Sequence, residues 1–295
     1  MAIDKAVDGT VLDGYFSDIA DAIRAKGGSG TFTPAQMPQA IEDLPAGDPN
    51  LTALLAGSAS GDIDVTLPEY SYAATLTFGD NRSYIKRNNY DVTGLTVRGA
   101  RLWGNLDAST GGNGGLFFQG NAKNLKYIRL PDTEEVNIYK YNAYANAFQN
   151  LEEFTAPNLI GIAGSNRTFG GYSPTALKRF VCPNYTRNLI SEMFYYCNQL
   201  ALVDIKTGYV TPGTFNSCSA LVALVMRATA VATLGATGAF TGTPIEAGTG
   251  YIYVPRDLIA SYESATNWST YAGQFRAIED YTADGTIDGE FIMPT

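Results

Sequence analysis

Two heptapeptides 21 residues apart, Phe194-Tyr-Tyr-Cys197-Asn-Gln-Leu200 and Phe215-Asn-Ser-Cys218-Ser-Ala-Leu221, share the form Phe-x-x-Cys-x-x-Leu. A chain that repeats itself at this interval stacks equivalent units, each too small to bury its own apolar side chains, so the period constrains the fold more than any local pattern does. The closing leucine opens a strand-like run that also recurs upstream. The runs are Leu125-Lys-Tyr-Ile128-Arg-Leu130, Leu151-Glu-Glu-Phe154-Thr-Ala156, Leu177-Lys-Arg-Phe180-Val-Cys182, Leu200-Ala-Leu-Val203-Asp-Ile205 and Leu221-Val-Ala-Leu224-Val-Met226. Each reads Leu-x-x-apolar-x-apolar, and the leucines stand 26, 26, 23 and 21 residues apart.

Those intervals fall within the span of leucine-rich repeats, about 20 to 29 residues. The first, fourth and sixth residues of each run are expected to face inward from a ladder of parallel strands. Phe148, Phe169, Phe194, Phe215 and Phe240 recur on the return path and are expected to close the opposite wall. The residues between project outward, which places Tyr127, Arg129, Glu153, Thr155, Arg179 and Asp204 on one mixed-charge surface. The fold expected is α+β: a short leucine-rich-repeat β-solenoid with a small helical N-terminal module and a helical C-terminal cap.

Before the repeats, Leu12, Tyr15, Phe16, Ile19 and Ile23 fall on one helical face, and Gly27-Gly28 ends it. Thr33-Pro34 supplies an N-cap and a proline at the first helical position, so residues 35–44 are expected to form a second helix. Residues 1–50 thus read as a separate attachment or oligomerisation module, in which Leu12, Phe16, Ile19 and Ile23 form the seam. Leu51 to Leu55 reads as a further helical turn. From there to residue 120, alternating runs such as Ala74–Phe78 and Gly94–Arg98 predict the β-rich start of the solenoid, with Gly111–Gly115 on a surface loop. Residues 121–250 carry the repeats, and residues 251–295 the cap and tail. There Pro255 is expected to start a helix whose Leu258, Ile259 and Tyr262 roof the last coil. Asp284-Gly285 and Asp288-Gly289 read as turns of a terminal hairpin.

Composition narrows the chemistry. The chain contains no histidine, which removes every His-dependent triad, His-metal site and imidazole acid–base pair. Acidic residues outnumber basic ones 29 to 20 and no Lys/Arg run occurs, so nucleic acid is not an expected partner. The start has acids where an export signal carries bases, and no apolar stretch reaches the roughly 20 residues of a membrane span, so neither export nor membrane insertion is expected. The three cysteines, Cys182, Cys197 and Cys218, read as small buried hydrophobes. Asp132, Glu134, Glu135, Glu152 and Glu153 are the carboxylates from which a glycosidase pair could be drawn, and they read instead as solvated turns and strand edges. No catalytic residue, cofactor or metal site is expected. Tyrosine is abundant, 19 residues, and suits recognition because it joins large area to a polar tip. Tyr139, Tyr141 and Tyr144 cluster on what reads as an inter-strand segment, and Tyr172, Tyr185, Tyr195, Tyr196 and Tyr209 follow.

The Phe-x-x-Cys-x-x-Leu steps and the Leu-x-x-Phe-x-x-Pro strands resemble the BspA-like leucine-rich-repeat family of bacterial and phage surface proteins. The segment Tyr251-Ile-Tyr-Val-Pro255 through Tyr271-Ala-Gly-Gln-Phe275 is similar to the terminal cap of such proteins. Asp18 to Gly27, paired with Thr33-Pro-Ala-Gln-Met-Pro-Gln-Ala-Ile41, resembles a leader found on phage tail and virion proteins. These resemblances imply a non-enzymatic virion protein, tail-associated or a capsid fibre. Its N-terminal module would join other virion proteins, and its repeats would meet a host surface protein or glycan. A homo-oligomer, a trimer in the fibre manner, is the expected assembly. A bacterial cell-surface adhesin is the alternative, and it requires an export signal and an anchor.

Overall fold

The computed structural model describes residues 49–66, 75–80, 87–89, 91–98, 101–102, 115–118, 124–140, 148–164, 166–171 and 175–294, with six positions before them. The chain divides into two units, Met1–Pro49 and Asn50–Thr295. In the first unit, Phe16, Ser17 and Ile19 are helical. The Gln36 side-chain oxygen accepts from the Thr33 N–H at 3.0 Å, the reach-back of a capping box. The expected second helix beyond residue 36, and Leu12 and Ile23 of the proposed seam, lie outside the described residues.

The second unit is mostly strand. Helix α1 (Pro49–Ala56) leads into β1 (Ser60–Thr66), β2 (Thr75–Asp80), β3 (Arg87–Asn88), β4 (Asp91–Arg98), β5 (Arg101–Leu102) and β6 (Gly115–Phe118). Then follow β7 (Tyr127–Arg129), β8 (Glu135–Lys140), β9 (Glu153–Thr155), β10 (Gly161–Gly164), β11 (Arg179–Val181) and β12 (Leu202–Ile205). The last strands are β13 (Tyr209–Val210), β14 (Ala223–Met226), β15 (Thr233–Leu234), β16 (Tyr251–Val254) and β17 (Phe275–Ala277), with helix α2 (Ile259–Ser264) between the last two. Nine strands form one all-parallel sheet in the order β1-β4-β7-β9-β11-β12-β14-β16-β17. A second sheet, β10-β8-β6-β2-β3 with β5 beside β8, is parallel except for the β2–β3 pair. This second sheet was not an expectation from sequence. Gly115 belongs to β6 rather than to a loop, and Gly111–Gly114 lie outside the described residues.

Register explains why three-residue strands suffice. Ile63, Leu95, Ile128, Phe154, Phe180, Val203, Leu224, Ile252 and Phe275 stand in one inward row, each opposite its neighbour. The run-opening leucines 125, 151, 177, 200 and 221 are all buried beside them. Across the core the phenylalanines form a continuous stack, with ring centroids at 5.5 Å for Phe148–Phe169, 5.8 Å for Phe169–Phe194, 5.6 Å for Phe194–Phe215 and 5.4 Å for Phe215–Phe240. Each such burial contributes roughly 1.5–3 kcal/mol, and none is available to a turn of chain standing alone.

The cysteines serve the same stacking. Cys218 Sγ donates to the Phe194 carbonyl of the preceding turn at 3.1 Å, and Cys197 Sγ to that of Phe169 at 3.5 Å. Burial pushes the Cys182 and Cys218 thiols well above their ordinary range. On the strand side, Asn158 donates to the Pro131 carbonyl at 2.8 Å and Asn184 to that of Pro157 at 2.9 Å, one turn back in each case.

The last turn is closed by aromatics. Phe240 meets Trp268 at 5.9 Å and Tyr271 at 5.1 Å. Tyr262 and Trp268 hold both polar atoms of the Ala232 backbone: the Ala232 N–H donates to Tyr262 Oη at 3.0 Å, and Trp268 Nε1 donates to the Ala232 carbonyl at 2.6 Å. Leu258 and Ile259 pack partly buried against the same core. At the other end Asn89 joins α1 to β1, accepting from the Ala59 N–H at 3.0 Å and donating to the Leu54 carbonyl at 2.8 Å. Among the described residues no helix is long and apolar enough to cross a membrane.

Candidate ligand-binding face

Alternation along the nine-strand sheet sends two rows of side chains outward. One row runs Asp62, Gly94, Tyr127, Glu153, Arg179, Leu202, Ala223, Tyr251. The other runs Asp64, Thr96, Arg129, Thr155, Val181, Asp204, Val225, Tyr253. Through β11 the rows are mostly polar and, apart from Gly94 and Thr96, at least partly exposed; from β12 onward they are mostly buried and, Asp204 apart, apolar.

The open part is a connected network. Gly94 leaves room for the Tyr127 ring, since a Cβ there would stand 2.0 Å from the ring's Cζ. A hydrogen bond between the Tyr127 hydroxyl and the Asp62 carboxylate holds the phenol's pKa above its usual range. Arg129 lies over the Tyr127 ring at 4.1 Å and faces Glu153 at 3.6 Å, while Thr155 Oγ1 donates to Glu153 at 3.0 Å. Arg98 forks onto Asp64 with two bonds of 3.1 Å. Arg179 is exposed, and its guanidinium has no partner among the described residues. Five of the six outward residues expected from sequence, Tyr127, Arg129, Glu153, Thr155 and Arg179, are thus brought together at least partly exposed.

Asp204 is the correction. It points to the outer face, as the alternation requires, but it is 2% exposed. The C-terminal segment folds back over this end of the sheet and makes a second, smaller core from Leu202, Ala223, Val225, Tyr253, Ile278 and Phe291. Asp204 lies under that cover, held by Arg227 through bonds of 2.6 and 2.7 Å. Burial raises its carboxyl above the ordinary carboxylate range while Arg227 pulls the other way. Arg227 went unmarked in the sequence; the available signal was a lone arginine ending the apolar run Leu224-Val-Met226. The cover itself is the expected hairpin, with Thr282 bridged antiparallel to Phe291.

The tyrosine cluster is rearranged as well. Tyr139 belongs to strand β8 of the second sheet, not to an inter-strand segment, and Tyr141 and Tyr144 lie outside the described residues, as does Tyr172. Tyr185 is core, fully buried, with its hydroxyl pushed up to about 12 by desolvation. Tyr195 carries Arg167 over its ring at 4.5 Å, beside exposed Tyr196.

Of the five candidate carboxylates, Glu135, Glu152 and Glu153 are paired with cations. Glu152 binds Lys178 at 2.7 Å, which lowers its pKa, and Glu135 binds Arg187 at 2.8 Å. Asp132 and Glu134 are exposed. Among the described residues no three His, Cys, Asp or Glu side chains gather as a metal site would require, and Asp284 Oδ1 instead accepts the Thr286 N–H at 3.0 Å. Comparison with protein-family models, with curated proteins and with solved structures finds no match to this chain.

Proposed function

We propose that the chain is a leucine-rich-repeat solenoid of the BspA-like kind, acting without catalysis as the host-recognition part of a phage virion. The stacked phenylalanines, the recurring leucine spine and the turn-to-turn cysteine and asparagine bonds support the solenoid reading, because each is a contact between equivalent positions of successive repeats.

The observation that carries the function is the change of character along one face. Where the outer rows are apolar, the chain covers them with its own C-terminal segment. Where they are uncovered, they hold tyrosine, arginine, glutamate and threonine on strands, with Tyr127, Arg129, Glu153 and Thr155 joined by ring stacking, an ion pair and a hydrogen bond. A surface of this composition, with its side chains already ordered, loses little entropy when a partner settles on it. The partner is a host surface protein or glycan. Residues 1–50 join other virion proteins, through the stripe of Leu12, Phe16, Ile19 and Ile23, and bring copies of the chain together as a trimer.

The test combines location with binding. Gold-labelled antibody against the chain is expected on tails or capsid fibres of the source virus. Fluorescently labelled full-length chain is expected to bind host cells, with affinity reduced about tenfold or more by Tyr127→Ala or Arg129→Glu. Undiminished binding by both variants would overturn the face assignment, and label on a bacterial envelope instead of particles would replace the virion with an adhesin. Light scattering of the full chain is expected to return the mass of a trimer.

A further inference from the structure

Where the open polar rows meet the terminal hairpin there is a cleft of about 290 Å³. Arg179 stands on the sheet side, Asp288 and Glu290 on the hairpin side, and the partly exposed Val181 and Pro183 supply apolar lining beside the buried Arg227–Asp204 pair. The hairpin wall is pinned to the sheet. Besides its two bonds to Asp204, Arg227 donates from Nη1 to the carbonyls of Ile287 and Gly289 at 2.6 and 2.9 Å, the two residues that flank Asp288. Gly289 is packed so closely that a Cβ would stand 2.0 Å from Asp284 Oδ1. The wall is set before any ligand arrives, and a pre-organised site wastes least of its binding energy.

Charge selects the ligand class. The buried pair is neutral within itself, which leaves one guanidinium offering only donors and two carboxylates offering only acceptors. A simple anion would face two carboxylates, a simple cation would face Arg179, and a zwitterion would leave one carboxylate unmatched. Hydroxyl groups, which donate and accept at once, satisfy both walls, and the C–H face of a sugar ring suits the partly exposed Val181 and Pro183. The volume lies near the lower end of small-molecule sites, about 300 Å³, which limits the occupant to one or two rings.

We propose that this cleft seats a neutral sugar unit, the terminal residue of a glycan running along the open face. This rests on the reading of that face as a receptor surface. Saturation-transfer NMR of the full-length chain with glucose, galactose, mannose, N-acetylglucosamine and their β-linked disaccharides is the test, with glycine and inorganic phosphate as controls. Transfer to at least one sugar is expected, with affinity about tenfold weaker or worse in Arg179→Ala and Glu290→Gln. Both side chains are exposed, so folding is expected to survive; circular dichroism checks this, and Asp288→Asn serves if either variant misfolds. Transfer to no sugar, transfer unaffected by the variants, or a glycine signal in place of a sugar signal would each overturn the proposal. Host-cell binding that still depends on Tyr127 and Arg129 while all sugars fail would reject the cleft and leave the open face standing. Sugar transfer that depends on Arg179, without any cell binding, would do the reverse.

Discussion

The Arg227 side chain is buried and makes its hydrogen bonds inside the protein: two to the carboxylate of Asp204 and two to backbone carbonyls 60 and 62 residues away in sequence. Removing it strands a buried carboxylate, and breaking one side of such a pair costs about 3–5 kcal/mol. Arg227→Met is therefore expected to lower the urea unfolding free energy by that amount, whereas Arg227→Met combined with Asp204→Leu recovers most of the loss. A double variant as unstable as the single one would show that the pair's geometry, not the stranded charge, sets the cost. At this scale the sequence was half legible. The two-residue period places Asp204 on the outer face correctly, but whether an outer face is wet depends on what else folds over it, and that partner lies some eighty residues downstream.

At the scale of the element, the repeat is written into backbone conformation as well as side chains. Two residues before successive stacked phenylalanines, Arg167, Glu192 and Gly213 have φ of 61°, 54° and 71°. Two residues after Phe194, Phe215 and Phe240, Tyr196, Ser217 and Gly242 have φ of 66°, 63° and 76°. The tight turns that carry each phenylalanine across the core demand this left-handed geometry whatever residue occupies the place. An L-residue there is disfavoured by about 1–2 kcal/mol, partly offset by the roughly 0.5–1 kcal/mol that glycine loses in chain entropy. Ser217→Gly is thus expected to stabilise the protein by about 0.5–1 kcal/mol, read as a rise in thermal midpoint; a fall would mean that the Ser217 Oγ bond to Asn216 at 2.8 Å outweighs the backbone strain. The glycine at 242 is the only one of the three late positions where composition hinted at this, so the turn conformation was hidden while the Leu-x-x-apolar-x-apolar strands were plain.

For the whole molecule, the two cores make an alkaline limit. Burial pushes the hydroxyls of Tyr185 and Tyr253 up to about 12, with Tyr281 adding to the effect at Tyr253. An unfolded chain releases these protons near 10, so between about 10 and 12 the unfolded state binds fewer protons than the folded one and stability falls as pH rises. Below that window the contribution is fully present. Phenolate absorbance is accordingly expected to rise in two stages, the exposed tyrosines first and the buried ones together with loss of the circular dichroism signal. A single smooth titration with the fold intact would contradict the burial of both residues.

What the sequence determined alone is the repeat: which leucines and phenylalanines turn inward, the alternation that aims Tyr127, Arg129, Glu153, Thr155 and Arg179 outward, and the hairpin at the end. Those are properties of spacing, and spacing is local. The tertiary structure decided the rest: a second, mostly parallel sheet, Tyr139 in a strand, Tyr185 in the core, and a C-terminal cover that dries Asp204 and opens a cleft beside Arg179. Each of these depends on which distant segment lands on a given face, and burial is settled by that meeting rather than by any pattern within one run of residues.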